Sequence, residues 1–275
     1  SFAVGALAAY GLSALLLRIA SWQWVFASAA ICLLACGAVL TCCVERIERR
    51  HAGERAARLP VSEERAEAAP LSLWQIVAMS GLLVVGLALM SDGLLKDGVS
   101  MWIPTYLTEQ FGLAASDAAL ATTVMPLLNM LGVFLTDRLV RVFRDELRAS
   151  CAMFAVAMAA LAALALVRQS VAPALFLLGI AMMCALGINT LLVSVLPMYF
   201  VPLGRTSTIT GLLNTCMHFA SSVSSYAIAA MSAAWGWPPT VLGWAGMSLI
   251  GAVCTLAVRG RFYGFVRRLE PETKK

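Results

Sequence analysis

Runs of about twenty or more apolar residues recur between positions 2 and 258, separated mostly by short polar connections. Each run is long enough to cross the hydrocarbon core of a bilayer as an α-helix. Backbone N–H and C=O groups in lipid have no water to bond. An apolar run of this length must therefore satisfy them within itself, as a helix rather than a strand. The pattern predicts about eight spans, at 2–19, 24–44, 73–95 with an extension through 107, 118–140, 149–167, 172–200, 208–234 and 241–258. The expected fold is all-α, a polytopic membrane protein.

Charge orients these spans. Loops on the cytoplasmic side of a membrane collect Lys and Arg, and here the basic residues alternate from one side to the other. One side takes Arg46, Arg49, Arg50, Arg55, Arg58 and Arg65, then Arg138, Arg141, Arg144 and Arg148, then Arg205, then Arg259, Arg261, Arg267, Arg268, Lys274 and Lys275. The other side takes Arg18 and Arg168, with Lys96 near it. The start of the chain, the central loop and the C-terminus are therefore expected on the cytoplasmic side of a cell membrane. The formal charge of +5 reflects that topology, and no interleaving of basic and aromatic residues points to nucleic acid. The long hydrophilic stretch at 45–70 separates two helices from six, giving four parts: 1–44, the cytoplasmic central loop 45–70, a six-helix bundle at 71–258 and a basic tail at 259–275. The stretch reads as a solvated connection, with an exposed helix as the alternative. The chain enters a span directly after Ser1, which reads as part of a longer protein with earlier helices.

Composition narrows the function. With 61% hydrophobic and 13% charged residues and a mean hydropathy of +0.85, the chain is solvated mostly by lipid, which excludes a soluble enzyme. The eight cysteines sit in or at the ends of apolar runs, where they read as small packing residues rather than a disulfide framework or a metal site. Cys32 and Cys36 share a helix face, but no histidine or acid accompanies them in that run. No phosphate loop, nucleophile triad or metal-ligand cluster appears. No cofactor, metal or catalytic residue is expected. Gly179 and Gly187, on a common face of one apolar run, read as positions of close helix approach.

Several local patterns carry a resemblance. Ser21-Trp22-Gln23-Trp24-Val25-Phe26 is similar to the Trp-rich turn that opens helix six of major facilitator superfamily transporters. Asp137-Arg138-Leu139-Val140-Arg141 resembles the loop motif those transporters carry between helices two and three and again between eight and nine. It departs from the motif in having Val133 and Val140 where glycine is usual. Lys96 to Leu107, with its Trp102, Pro104, Thr105 and Tyr106, is similar to helix seven of the organophosphate:phosphate antiporter (sugar-phosphate permease) branch. The resemblance spans nearly the whole chain. It implies the last two helices of a first bundle, then a complete second bundle, with substrate bound near the midplane between the two. It also places Lys96 at the branch's phosphate-binding basic position.

Ionisable and amide groups at membrane depth are costly and mark candidate sites. Lys96, as a point charge with three donors, suits a phosphate or carboxylate. The alternatives are an ion pair with Asp92, one turn earlier, or snorkelling to the outer interface. A straight helix from Pro70 would carry Lys96 about 39 Å, towards the outer face. Asp97 and Asp92 are candidates for a coupling proton, although Gly93 and Gly98 beside them suggest a helix end with solvated acids. Asn214, His218, Ser221, Ser222 and Ser225 form one polar stripe on an apolar helix, so Asn214 and His218 are candidate substrate contacts. Asn129, Asn189 and Tyr106 complete the candidate binding set, the two amides being alternatively interhelical hydrogen-bonding groups and Tyr106 an interfacial anchor. Asp137, Arg138 and Arg141 are the candidate gating loop. The expected function is a secondary transporter moving a small anionic, organophosphate-like solute by alternating access. The rivals are a proton-coupled carrier or exporter, and a membrane sensor that binds a sugar phosphate without moving it. The expected partners are the lipid bilayer, a small-molecule substrate and the protein's own missing helices.

Overall fold

The computed structural model describes residues 22–57, 72–167 and 169–269, with side chains for all of these except 22, 47–57 and 130. The expected span at 2–19, the segment 58–71, Arg168 and the last six residues lie outside the described residues. Every regular element among them is helical. Contacts divide the chain into two compact units, 1–69 and 70–275.

In the first unit, helix α1 (Trp22–Ala57) is 36 residues long and carries the apolar stretch Gln23–Arg46. It does not stop where the apolar run ends. Residues 45–57 are mostly Glu, Arg and Ala, good helix formers, and they prolong it past the expected boundary at 44.

In the second unit the run beginning at Leu73 is broken. Helix α2 (Leu73–Ser80) opens with a capping box between Ser72 and Gln75 and ends at Gly81, whose φ of 77° few other residues adopt without strain. Helix α3 (Leu82–Gly93), a π-helical turn (Leu94–Val99) and α4 (Ser100–Phe111) then continue as one rod, bent 75° from α2. Lys96 therefore lies about 21 Å from the start of α3 and about 22 Å from the end of α4, midway along the rod. The run is therefore not the straight helix from Pro70 along which a distance of about 39 Å was expected. The Gly81 break supplies the reason.

After α5 (Ala115–Thr122) and α6 (Met125–Phe143) come α7 (Glu146–Leu164) and α8 (Val171–Asn189). From α8 the chain passes through a second π turn (Thr190–Val195) into a 3₁₀ segment (Leu196–Leu203) that contains Pro197 and Pro202. Proline lacks the N–H that an α-helix needs, so the ladder gives way there. Helices α9 (Thr206–Trp235) and α10 (Trp237–Leu269) complete the unit. Helix α7 packs between α8 and α10, α6 packs on α8, and α3 packs on α9 and α10. Small residues permit this closeness: Gly251 of α10 abuts the buried Phe154 ring, Gly179 meets Leu128, and Gly187 meets Met153 and Thr136. Gly179 and Gly187 thus act as the packing positions expected of them.

Among the described residues, five helical stretches are long and apolar enough to cross a membrane, and six if the bent α2–α4 run counts as one span. Helix α9, 30 residues long, is not among them. Its polar stripe lowers its hydropathy, so it reaches spanning length without being apolar throughout.

Candidate functional site

The rod formed by α3, the π turn and α4 lies directly against α9, and two glycines set the distance. A side chain at Gly93 would run into the Met217 carbonyl, and one at Gly98 into Ser224. Gly93 and Gly98 therefore mark a close helix approach inside a continuous rod, not the helix end with solvated acids that the sequence suggested. Asp92 beside them is fully buried.

The π turn projects Lys96 and Asp97 at this crossing. Lys96 Nζ lies 2.5 Å from Asp97 Oδ1, and both side chains are largely buried, at 17% and 29% exposure. The Lys96 carbonyl accepts a hydrogen bond from Ser100 Oγ, so backbone at the irregular turn is satisfied locally. Asp97 has a second neighbour across the helix interface, with its Oδ2 3.8 Å from His218 Nδ1 on α9. One carboxylate thus stands between a lysine and a histidine, joining two helices. The ion pair with Asp92, one of the alternatives to a substrate role, is not formed; Lys96, at the π turn, pairs with the adjacent Asp97.

Asp92 lies one turn below. Neither of its oxygens makes a hydrogen bond of good geometry, although the Asn189 side chain on α8 and the charges of Lys96 and Asp97 are close enough to act on it. Asn189 Nδ2 in turn donates to Met217 Sδ, 2.8 Å away on α9. Five candidates therefore meet where α8, α9 and the rod converge: Asp92, Lys96, Asp97, Asn189 and His218. His218 is 64% exposed at its side chain, so the group opens on that side. Asn214, one turn earlier on the same helix, is half-buried, and Ser222 beyond it is exposed.

The other candidates lie elsewhere. Asn129 is on α6, which packs on α7 and α8, and its Oδ1 is buried without a hydrogen bond. Tyr106 is 2% exposed, edge-on to Phe111 and Trp237 at 5.7 and 5.2 Å, so it is a core residue and not an interfacial anchor. Trp237 is held there by its indole N–H, which donates to Glu109 at 2.8 Å. Asp137, Arg138 and Arg141 are exposed near the end of α6 and form no ion pair among the described residues.

The bonds at that end belong to neighbours which sequence reasoning missed. Asp145 caps α7 by accepting from the Arg148 N–H at 3.0 Å and also pairs with Arg259 of α10. Glu146 accepts hydroxyl bonds from Tyr199 at 2.9 Å and Tyr263 at 2.5 Å. The cap was legible, because Asp145 stands just before a helical run. Its partner 114 positions away was not.

No curated protein matches the chain. The family model described as Major Facilitator Superfamily matches residues 1–225, a stretch that includes all five residues of the Lys96 group. The chain therefore belongs to the Major Facilitator Superfamily, whose members are secondary transporters of small solutes and not enzymes.

Proposed function

We propose that the protein carries a small organic anion, of the phosphorylated class, across a cell membrane by alternating access, with Lys96 as the anion contact. The observation that carries this reading is the sharing of Asp97 between Lys96 and His218. In the resting state Asp97 neutralises Lys96. An arriving phosphate or carboxylate, richer in acceptor oxygens, competes for the lysine, and the displaced carboxylate turns to His218 on the facing helix. Substrate binding then changes a contact between α9 and the rod, which is the kind of differential interaction a two-state carrier needs. His218 and Asn214 orient the solute, and Asn189 and Asp92 lie beneath it. The likeness of the segment around Lys96 to the phosphate antiporters supports exchange for inorganic phosphate. In this reading the arginine-rich helix ends are cytoplasmic, and the second unit works with a first bundle of which α1 is part.

A test is counterflow in proteoliposomes holding the intact protein, offered radiolabelled sugar phosphates, glycerol phosphate and carboxylates, with and without internal phosphate. Uptake driven by internal phosphate supports the reading. The absence of flux with any anion overturns it.

Proton coupling is a second reading, favoured by Asp92, a fully buried carboxyl that makes no hydrogen bond of good geometry and stands beside a second carboxyl and a single lysine. It differs in one outcome: an uncoupler collapses uptake, whereas phosphate exchange withstands it.

A further inference from the structure

Around the turn between α6 and α7, a cavity of about 330 Å³ opens between that turn and α10, lined by Arg144, Asp145, Arg259, Gly260, Tyr263, Gly264 and Arg267. We propose that it is a binding site for a phosphate group, separate from the Lys96 group.

Three guanidinium groups line the cavity against one carboxylate, Asp145. Arg259 is held by that carboxylate. Arg144 and Arg267 have no ion-pair partner among the described residues, and they supply the unspent charge. The basic residues of this region are not all alike in this respect, since Arg261, also on α10, is spent on the backbone carbonyls of Ala78 and Met79. Arg144 is aimed by the backbone: it ends α6 in the left-handed region at φ 50°, the one non-glycine residue with positive φ among the described residues. On α10, Arg259, Tyr263 and Arg267 recur every four residues, which places them on one face. Gly260 and Gly264 stand beside them, and a side chain at either would meet no atom within 4 Å, so they leave room for a ligand against the helix. Planar guanidinium forks match phosphate oxygens two at a time, which favours phosphate over a small halide and over a neutral ligand. The phosphate can come from a lipid headgroup or from solution.

The experiment uses the intact protein carrying Lys96→Ala, so that phosphate held at the Lys96 group is not counted, and its failure leaves the transport reading untouched. One arm measures the unfolding midpoint in neutral detergent with inorganic phosphate against chloride at equal ionic strength. The other compares nanodiscs of phosphatidylcholine with and without phosphatidic acid. A rise with inorganic phosphate assigns the site to a soluble phosphate, and a rise with phosphatidic acid alone assigns it to lipid. Arg144→Gln and Arg267→Gln each weaken the binding about tenfold, the loss expected of one charge-assisted hydrogen bond. Gly264→Leu abolishes it without altering charge, by filling the cavity. Size-exclusion chromatography confirms that each variant is folded. No rise in either arm, or a rise that persists in the Arg144→Gln/Arg267→Gln double variant, overturns the proposal.

Discussion

At the scale of single residues, the proposed anion contact rests on Lys96. Lys96→Ala in the intact protein removes the one lysine of the group and is expected to abolish anion uptake while the protein still purifies as a folded monodisperse species. Unchanged uptake would exclude Lys96 as the anion contact. Asp97→Asn acts in the opposite direction. It removes the internal competitor for Lys96, so the anion's apparent KM is expected to fall several-fold, by about 1 kcal/mol in binding, and flux to slow because the exchange of partners with His218 is lost. A KM that rises instead would show that Asp97 organises the site rather than competing for it. The candidates themselves were legible in the sequence, because an ionisable side chain inside an apolar run stands out. Their pairing was not: Asp92 and Asp97 are both near Lys96 along the chain, and the π turn selected Asp97.

Among the elements, the rod and α9 pack directly on each other and are the working pair of the proposed mechanism, and glycine sets their separation. Gly93→Val drives a Cβ into the Met217 carbonyl. It is expected to cost about 1–3 kcal/mol, read as a fall in the thermal midpoint, and to lower transport by shifting His218 from Asp97. Gly81→Ala is a different lesion. It places a Cβ at φ 77° and against Val258, where α2 turns away from the rod, and the left-handed strain alone costs about 1–2 kcal/mol. A variant as stable as wild type would mean that the bend relaxes without loss. Most element types followed from hydrophobic length alone. The break at Gly81 did not, because a single glycine in an apolar run is compatible with an unbroken helix. The polar stripe of α9 was visible at helical spacing, and its meaning became specific once α9 was found against Lys96 and Asp97.

At the scale of the molecule, charge asymmetry sets the expected orientation. In a cysteine-free background of the intact protein, Arg141→Cys should react with an impermeant maleimide from the cytoplasmic side alone, and Gln169→Cys from the outside alone. The reverse pattern would invert the topology. Membrane residence, helical class and the candidate charges were all determined by the sequence itself, because lipid leaves an apolar run one way to satisfy its backbone and makes any ionisable group in it costly. Which charges meet is a matter of tertiary structure alone. Lys96 lies midway along its rod because the run bends at Gly81, and Asp97 faces His218, 121 positions away, because Gly93 and Gly98 let the rod approach α9 closely, at the Met217 carbonyl and the Ser224 side chain. Arg144 and Arg267 share a cavity because α7 brings the turn before it against α10. Such contacts depend on helix separations and crossings, which arise from packing between segments far apart in the chain and leave no periodic trace within any one of them.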